Sequence, residues 1–438
     1  MRTGTGLTRR TTLALGAAAP ALLGLAGCGP NTSSSSVEDD GDANSLRFAW
    51  WGNNVRNELT AQAIDAYTAA NEGVTISAEP GDWSGYWDKL ATQAAAKDAP
   101  DIIQMDEKYI SEYGGRGALL DLAAGGLDTS KFEDSVVATG EYQDMGLLAI
   151  CAGINTPVLL ANPAVFDAAG VDLPDDTTWT WDDLLEITKK ISEGTEDGVF
   201  GIQQIGLVQA AFQVYVRQLG KDQYNAEGVG FTAEDAGEFF EFMFGLQQEG
   251  AAPDASLAVE DSGKSLDQTM FGTGELGLVC AWSNQVVAFD EVLDGTVELL
   301  RMPSMTGKAT DANLWYKSSQ YFSVNANSAK TEAAVAFVDF LVNTTEAGKI
   351  LLAERGVPGN LDVREAIVGD LTESDVKVVD FIEAIKDELG EAPILTPQGG
   401  GGFEDMQKRA CEDMLFERTD PTAAGQALFD ELSGAVQV

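Results

Sequence analysis

From residue 46 onward, apolar runs of strand length alternate with stretches that carry apolar residues at helical spacing. LRFAWWGNN, at 46–54, has the length and composition of a buried strand, and its Gly-Asn-Asn ending is a turn signal. A helical pattern follows at 58–71, with Leu59, Ala63, Ile64 and Tyr67 on one face and Gly73 as its stop. VTISAEP then reads as a strand, Ser84 as the cap of a helix through Trp87, Leu90 and Ala94, and PDIIQMD as a strand ending on an acid. This alternation predicts an α/β architecture with largely parallel sheets. The roughly 390 residues beyond 45 exceed one ordinary core, so two domains are expected.

Further along, LLAICAGINTPVLLAN is an extended segment long enough to cross from one domain to the other. Asn162-Pro163 opens a short helix, and Thr180 with Asp183 forms a capping pattern for a helix to residue 192. Later helices are expected at 233–248, 330–342 and 345–355, the last closed by Gly356. From 362 the chain is mostly helical, apart from the glycine tract 399–402.

The N-terminus describes export. Arg2, Arg9 and Arg10 precede an uncharged stretch, and Leu25-Ala26-Gly27-Cys28 follows. That order predicts a signal peptide at 1–27, too short to span a membrane as a helix, and lipidation of Cys28. The general secretory and twin-arginine routes both stay open. Residues 28–45, rich in Ser, Asp and Glu, read as the lipidated cysteine and a disordered tether.

Charge and composition exclude several functions. The chain holds 70 acidic and 27 basic residues, and loss of the signal leaves 24 basic ones and a net charge of −46. Such a surface repels nucleic acid and anionic lipid. There is no histidine, which removes Ser-His-Asp and Cys-His catalysis and His-ligated zinc. Cys151, Cys280 and Cys411 show no CxxC spacing, so buried free thiols are expected, with one disulfide possible on count alone. Gly272-Thr-Gly274-Glu-Leu-Gly277 fits GxGxxG literally, but its glycines follow a helical pattern and precede a strand, the reverse of a dinucleotide site. The tract at 399 lacks the Lys-Ser/Thr of a phosphate loop, and no calcium-loop pattern occurs. Nothing in the sequence calls for a cofactor or a metal.

What does recur is aromatic and amide side chains at strand exits: Trp50-Trp51-Gly52-Asn53, Gln104-Met105-Asp106 and Trp282-Ser283-Asn284-Gln285. In parallel sheets, ligands sit at the carboxyl ends of strands. Sugar rings offer C–H faces that indoles cover and hydroxyls that planar amides and carboxylates pair with. Trp50 shares the alternating face of Leu46 and Phe48 and reads as core. Trp51 reads either as a stacking platform or as packing on a following helix, and Asp106 either as a hydroxyl acceptor or as a helix cap. Trp282 reads as a site residue, Trp83 and Tyr86 as rim or staple residues, and Trp315 and Tyr316 as site candidates on a loop entering a strand. Trp179 and Trp181 are expected to pack on their own helix.

Several segments resemble the family-1 solute-binding proteins of bacterial ABC importers, the group that contains maltose-binding protein. They are FAWWGNN, WSGYWDKLATQAAAKDAPDIIQMD, TPVLLANPAVFDAAGVDLP with TWTWDDLLEITKKI, FGTGELGLVCAWSNQ, LLRMPS and SQYFSVNANSAKTEAAVAFVDFLVNTTEAGKIL, in the family's order. The resemblance implies a two-lobe periplasmic-binding-protein-like (type II) fold with a hinge. By analogy, lobe one is 46–153 plus 301–356, and lobe two is 154–300 plus 357–438. It further implies a non-enzymatic receptor, monomeric, that holds a carbohydrate between the lobes and delivers it to a membrane permease. The ligand-binding set expected is Trp51, Asn53, Trp83, Asp106, Trp282, Asn284, Trp315 and Tyr316. The alternatives are a lipid-anchored glycoside hydrolase working through two carboxylates and a structural lipoprotein.

Overall fold

The computed structural model describes residues 44–52 and 54–437. The expected signal peptide, Cys28, most of the tether and Asn53 lie outside the described residues.

Eleven strands occur among those residues: β1 (Ser45–Trp51), β2 (Thr75–Gly81), β3 (Ile102–Met105), β4 (Ile150–Asn155), β5 (Pro157–Ala161), β6 (Phe200–Ile202), β7 (Tyr224–Asn225), β8 (Gly228–Val229), β9 (Leu276–Trp282), β10 (Glu298–Leu300) and β11 (Lys317–Val324). They form a five-stranded sheet, β2-β1-β3-β11-β4, a four-stranded sheet, β10-β5-β9-β6, and the small β7-β8 hairpin. The chain crosses between the large sheets at Thr156, since β4 ends at Asn155 and β5 starts at Pro157. The segment 147–162 therefore makes the crossing that its length predicts.

The sheets are mixed rather than largely parallel, and the crossing explains why. β1 runs parallel to β2 and β3, and β6 parallel to β9. β11 is antiparallel to β3 and β4, and β5 is antiparallel to β9 and β10. Both reversed strands are the ones that enter their sheet from the crossing side. They must run away from the edge toward which their neighbours run.

Strand alternation on β1 sorts the aromatic side chains. Leu46, Phe48 and Trp50 are buried on one face, where Phe48 packs edge-on against Phe322 and Phe337. Trp50 is core, as its periodicity predicts, and its Nε1 donates to Asn57 Oδ1 at 2.8 Å. Ala49 and Trp51 point to the other face and join Tyr86, Leu90, Ile103 and Met105 in a second cluster.

The helices largely follow the sequence signals. Thr180 with Asp183 forms a capping box for Trp181–Gly194, and Thr232 with Asp235 does so for Ala233–Gln248. Trp179 and Trp181 are buried. The helix expected to be capped by Ser84 instead begins at Trp83, with Asp82 at the cap position, which makes Trp83 the first helical residue. Cys151, Cys280 and Cys411 are buried and free. After β10, Arg301 pairs with Asp176 and Glu388, and Ser304 bridges Thr180, so 301–304 stay beside the second sheet.

Candidate functional site

The carboxyl edges of the two sheets face one cleft. At the first, β2 leads into Asp82 and Trp83, and β3 into Asp106. At the second, β6 leads into Gln203, and β9 ends on Trp282. A cavity of about 410 Å³ is lined from the first side by Trp83, Asp106, Glu107, Lys108 and Lys317. The second side brings Gln203, Gln209, Gln213, Trp282 and Gln285.

Trp83 presents the open aromatic surface, with 45% of its area exposed. Trp51, only 8% exposed, stands behind it, with ring centroids 5.1 Å apart. Trp87 braces both, at 5.4 Å from Trp51 and 5.5 Å from Trp83, and is itself stacked on Tyr109 at 3.8 Å. Tyr86 is buried and donates its hydroxyl to the Gln104 carbonyl at 2.7 Å. Gln104 is also buried: its Nε2 donates to the Trp51 carbonyl, and its Oε1 accepts from Arg355 Nε. These residues hold the platform in place, and Trp83 faces the ligand space.

Asp106 is a helix cap, and it also lines the cleft. Its Oδ1 accepts from the Lys108 backbone N–H at 3.0 Å, capping the helix Glu107–Gly115. Trp282 is half-buried on the opposite wall, its backbone N–H donating to Gln285 Oε1 at 2.8 Å. Lys317 Nζ lies 5.2 Å from the Trp282 ring centroid, a cation over the indole face. Asn284 shares the short turn Ser283–Gln285 but does not line the cleft, whereas Gln285 does. Trp315 and Tyr316 are buried: Arg217 lies over Trp315 at 5.0 Å, and the Tyr316 hydroxyl donates to the Ile382 carbonyl. They line a smaller adjoining space of about 40 Å³, which shares Glu107 and Lys317 with the main cleft. Asn53 lies outside the described residues. The structure thus brings Trp83, Asp106 and Trp282 together at the cleft, and sets Trp51, Trp315 and Tyr316 behind or beside it.

Three glutamines line the cleft that the sequence reading passed over, beside Gln285 of the Trp282 strand exit. Gln209 and Gln213 stand one turn apart on the helix Gln209–Gln218, Gln203 follows β6, and Gln285 follows β9. The signal available was two amides at i, i+4 in a helix otherwise rich in Ala, Val and Phe. Gln203 Oε1 is buried without a hydrogen-bond partner, as is Nε2 of Gln223, which lines the adjoining space. Gln209 Nε2 donates to Gln223 Oε1 at 3.1 Å.

The cleft also carries opposed charges. Lys317 Nζ and Glu107 are 3.5 Å apart. Burial pushes the Glu107 carboxyl up against the pull of that lysine. Burial disfavours the Lys317 ammonium, but the carboxylates of Glu107 and Asp106 outweigh it and the net shift is upward. Glu404 receives both Lys408, at 3.0 Å, and Lys108, at 3.5 Å. Burial acts to raise its pKa, and the two ammonium groups hold it below the usual carboxylate range. Among the described residues, no group of three or more Asp, Glu, Cys or His is placed to hold a metal ion.

A cleft between the carboxyl edges of two α/β sheets, lined by indole, amide and paired charges, defines a binding protein. Residues 62–378 match the family model of the bacterial extracellular solute-binding proteins, and the chain belongs to that family of non-enzymatic receptors. Its fold is the two-sheet fold of periplasmic binding proteins. An oligogalacturonide-binding protein of Yersinia enterocolitica superposes with a TM-score of 0.75 at 19% identity, covering 90% of this chain and 100% of its own. The GacH receptor of Streptomyces glaucescens, solved also with acarbose, gives 0.69 at 18% identity, covering 90% and 98%. A lipoprotein of Streptomyces antibioticus is 28% identical over 204 residues, 44% of this chain, and the match spans only 41% of that relative.

Proposed function

We propose that the protein is the substrate-binding lipoprotein of an ABC importer, anchored through Cys28 at the outer face of the cell membrane. It captures an oligosaccharide or glycoside between two lobes and hands it to a membrane permease. Residues 44–155 with 317–367 form one lobe of this reading, and 157–316 with 373–437 the other. The carrying observation is Trp83, an exposed indole braced by Trp51 and Trp87 that faces a cleft rich in glutamine. Indole covers the C–H face of a sugar ring, and the amides of Gln203, Gln209, Gln213 and Gln285 both donate to and accept from hydroxyls. The saccharide ligands named for the two solved neighbours support the same class.

A hydrolase reading is less well served. It needs one carboxylic acid held protonated beside the scissile bond. The two cleft carboxyls raised by burial are committed elsewhere: Glu107 is paired with Lys317, and Asp261 accepts from the Met270 backbone N–H.

The test is a thermal-shift and tryptophan-fluorescence screen of the purified protein against mono- and oligosaccharides. A saccharide that raises Tm and perturbs the indole signal without being cleaved supports the reading. Silence across a broad glycan panel, or cleavage of the bound glycan, overturns it.

A further inference from the structure

The chain is strongly acidic, with 70 acids against 27 bases, yet the cleft is not. Four lysines line it, Lys108, Lys264, Lys317 and Lys408, against four carboxylates, Asp106, Glu107, Asp261 and Glu404. The cleft is thus an island of balanced charge in a negative surface, and its charges are not evenly shared. Lys317 has Glu107. Asp261 is committed to the fold, accepting from the Met270 backbone N–H at 2.7 Å, with Lys264 at 3.9 Å. Asp106 has one oxygen tied to its helix cap.

That leaves Lys108 and Lys408 dividing the single carboxylate of Glu404. Two ammonium groups on one carboxylate carry a net positive charge. All three side chains are partly exposed, so an entering group can reach them. The helices that bear them both begin at the cleft: Glu107–Gly115 from the first side, and Phe403–Leu415 from the second, the latter with no side-chain cap.

We propose, on the saccharide-receptor reading above, that the ligand is an acidic saccharide of the uronate type. Its carboxylate is received by Lys108 and Lys408, and Glu404 occupies those lysines until it arrives. Asp106 and the cleft glutamines take the hydroxyls, and Trp83 takes a ring face. Lys108, Lys408 and Glu404 are then specificity-determining residues. The lysines favour the charged ligand, and Glu404 competes with it. Each ammonium–carboxylate contact is a charge-assisted hydrogen bond, which a neutral hydroxymethyl group at the same position cannot make.

The experiment is calorimetric titration of the purified protein with uronic-acid oligosaccharides, each paired with its carboxyl-reduced neutral counterpart of the same linkage. Oligogalacturonate, oligoglucuronate and oligomannuronate serve as probes. The expected result is that an acidic member binds at least tenfold tighter than its reduced partner. Lys108→Gln or Lys408→Gln should weaken that acidic ligand about tenfold, and Glu404→Gln should strengthen it several-fold. Melting temperatures are recorded for each variant, so that loss of folding is separated from loss of binding. The sign of the Glu404→Gln effect decides the matter. A weaker acidic complex makes Glu404 a ligand group and overturns the proposal, as does equal affinity for acidic and reduced partners. Binding confined to neutral saccharides overturns this proposal and leaves the receptor reading standing. Failure of every saccharide, acidic or neutral, overturns both.

Discussion

Trp51 and Trp83 make one aromatic unit with two jobs, and substitution should separate them. Trp83→Ala removes an exposed face, so saccharide affinity should fall by about 1–3 kcal/mol, roughly ten- to a hundredfold, with Tm nearly unchanged. Trp51→Ala empties a buried site and should cost about 3–5 kcal/mol of folding stability, seen as a lower denaturation midpoint. Equal Tm losses in the two variants would show that Trp83 is a packing residue. A second residue-scale test concerns Lys317. Its removal in Lys317→Gln leaves the partly buried Glu107 without its partner, at a cost of about 1–3 kcal/mol near pH 8. Glu107 already titrates above its unfolded value, and losing the Lys317 ammonium raises it further, so between the unfolded and folded pKa values its native form binds more protons than its unfolded form. Stability therefore rises as pH falls through the raised pKa. The gap between variant and wild type should narrow from pH 8 toward pH 5 in urea denaturation, and a pH-independent gap would count against the pair. At this scale the sequence showed the aromatic residues but misplaced some of them. Alternation along β1 separates Trp50 from Trp51, yet only the packing of the helix Trp83–Ala95 reveals which indole stays open. Gln203 carries no local signal stronger than that of an ordinary surface amide, and Gln209 and Gln213 only their i, i+4 spacing.

Elements were more legible than their arrangement. The Thr-x-x-Asp boxes before 181 and 233 mark helix starts through short-range hydrogen bonds, so the sequence near each box suffices to find them. The order β2-β1-β3-β11-β4 inserts a strand from residue 317 between strands ending at 105 and 155, which no local pattern encodes. The glycine tract 399–402 shows how context decides. Its sequence fits a flexible turn, but the chain there is tightly held. Gly399 has φ +84°, and a Cβ on it would lie 1.9 Å from the Ala435 carbonyl oxygen. The Gln437 N–H donates to the Gln398 carbonyl, and the Tyr224 hydroxyl to that of Gly400. This stretch delivers the helix Phe403–Leu415 and its Glu404 to the cleft. Gly399→Ala should therefore cost roughly 2 kcal/mol or more, through the left-handed backbone and the clash together. Gly401→Ala meets nothing within 4 Å and should shift stability by less than about 0.5 kcal/mol. Similar denaturation midpoints for the two variants would mean the tract is a loose turn after all.

At the scale of the whole molecule, stability and binding should respond to salt with opposite signs. A net charge of −43 makes the folded chain repel itself, because folding brings acidic groups closer than the unfolded chain holds them. Raising ionic strength from about 0.01 M to 1 M shortens the screening length from about 30 Å to 3 Å, which relieves that repulsion. Paired charges such as Arg301 with Glu388 and Arg56 with Glu354 weaken at the same time, but the 27 bases can pair with only a minority of the 70 acids. The melting temperature should accordingly rise with NaCl. The cleft behaves otherwise. If Lys108 and Lys408 receive a ligand carboxylate, salt screens that attraction, and the affinity for an acidic saccharide should fall over the same range. A neutral saccharide held by Trp83 and the glutamines should lose little. Excess charge at this scale was legible in composition alone, because self-repulsion depends on counts. Its local balancing in the cleft was not, since Lys108, Lys317 and Lys408 come from elements far apart in the sequence. Melting curves and titrations at the two salt concentrations read both effects on one preparation. A Tm that falls with salt would show that ion pairs, rather than net repulsion, dominate the stability of this acidic chain.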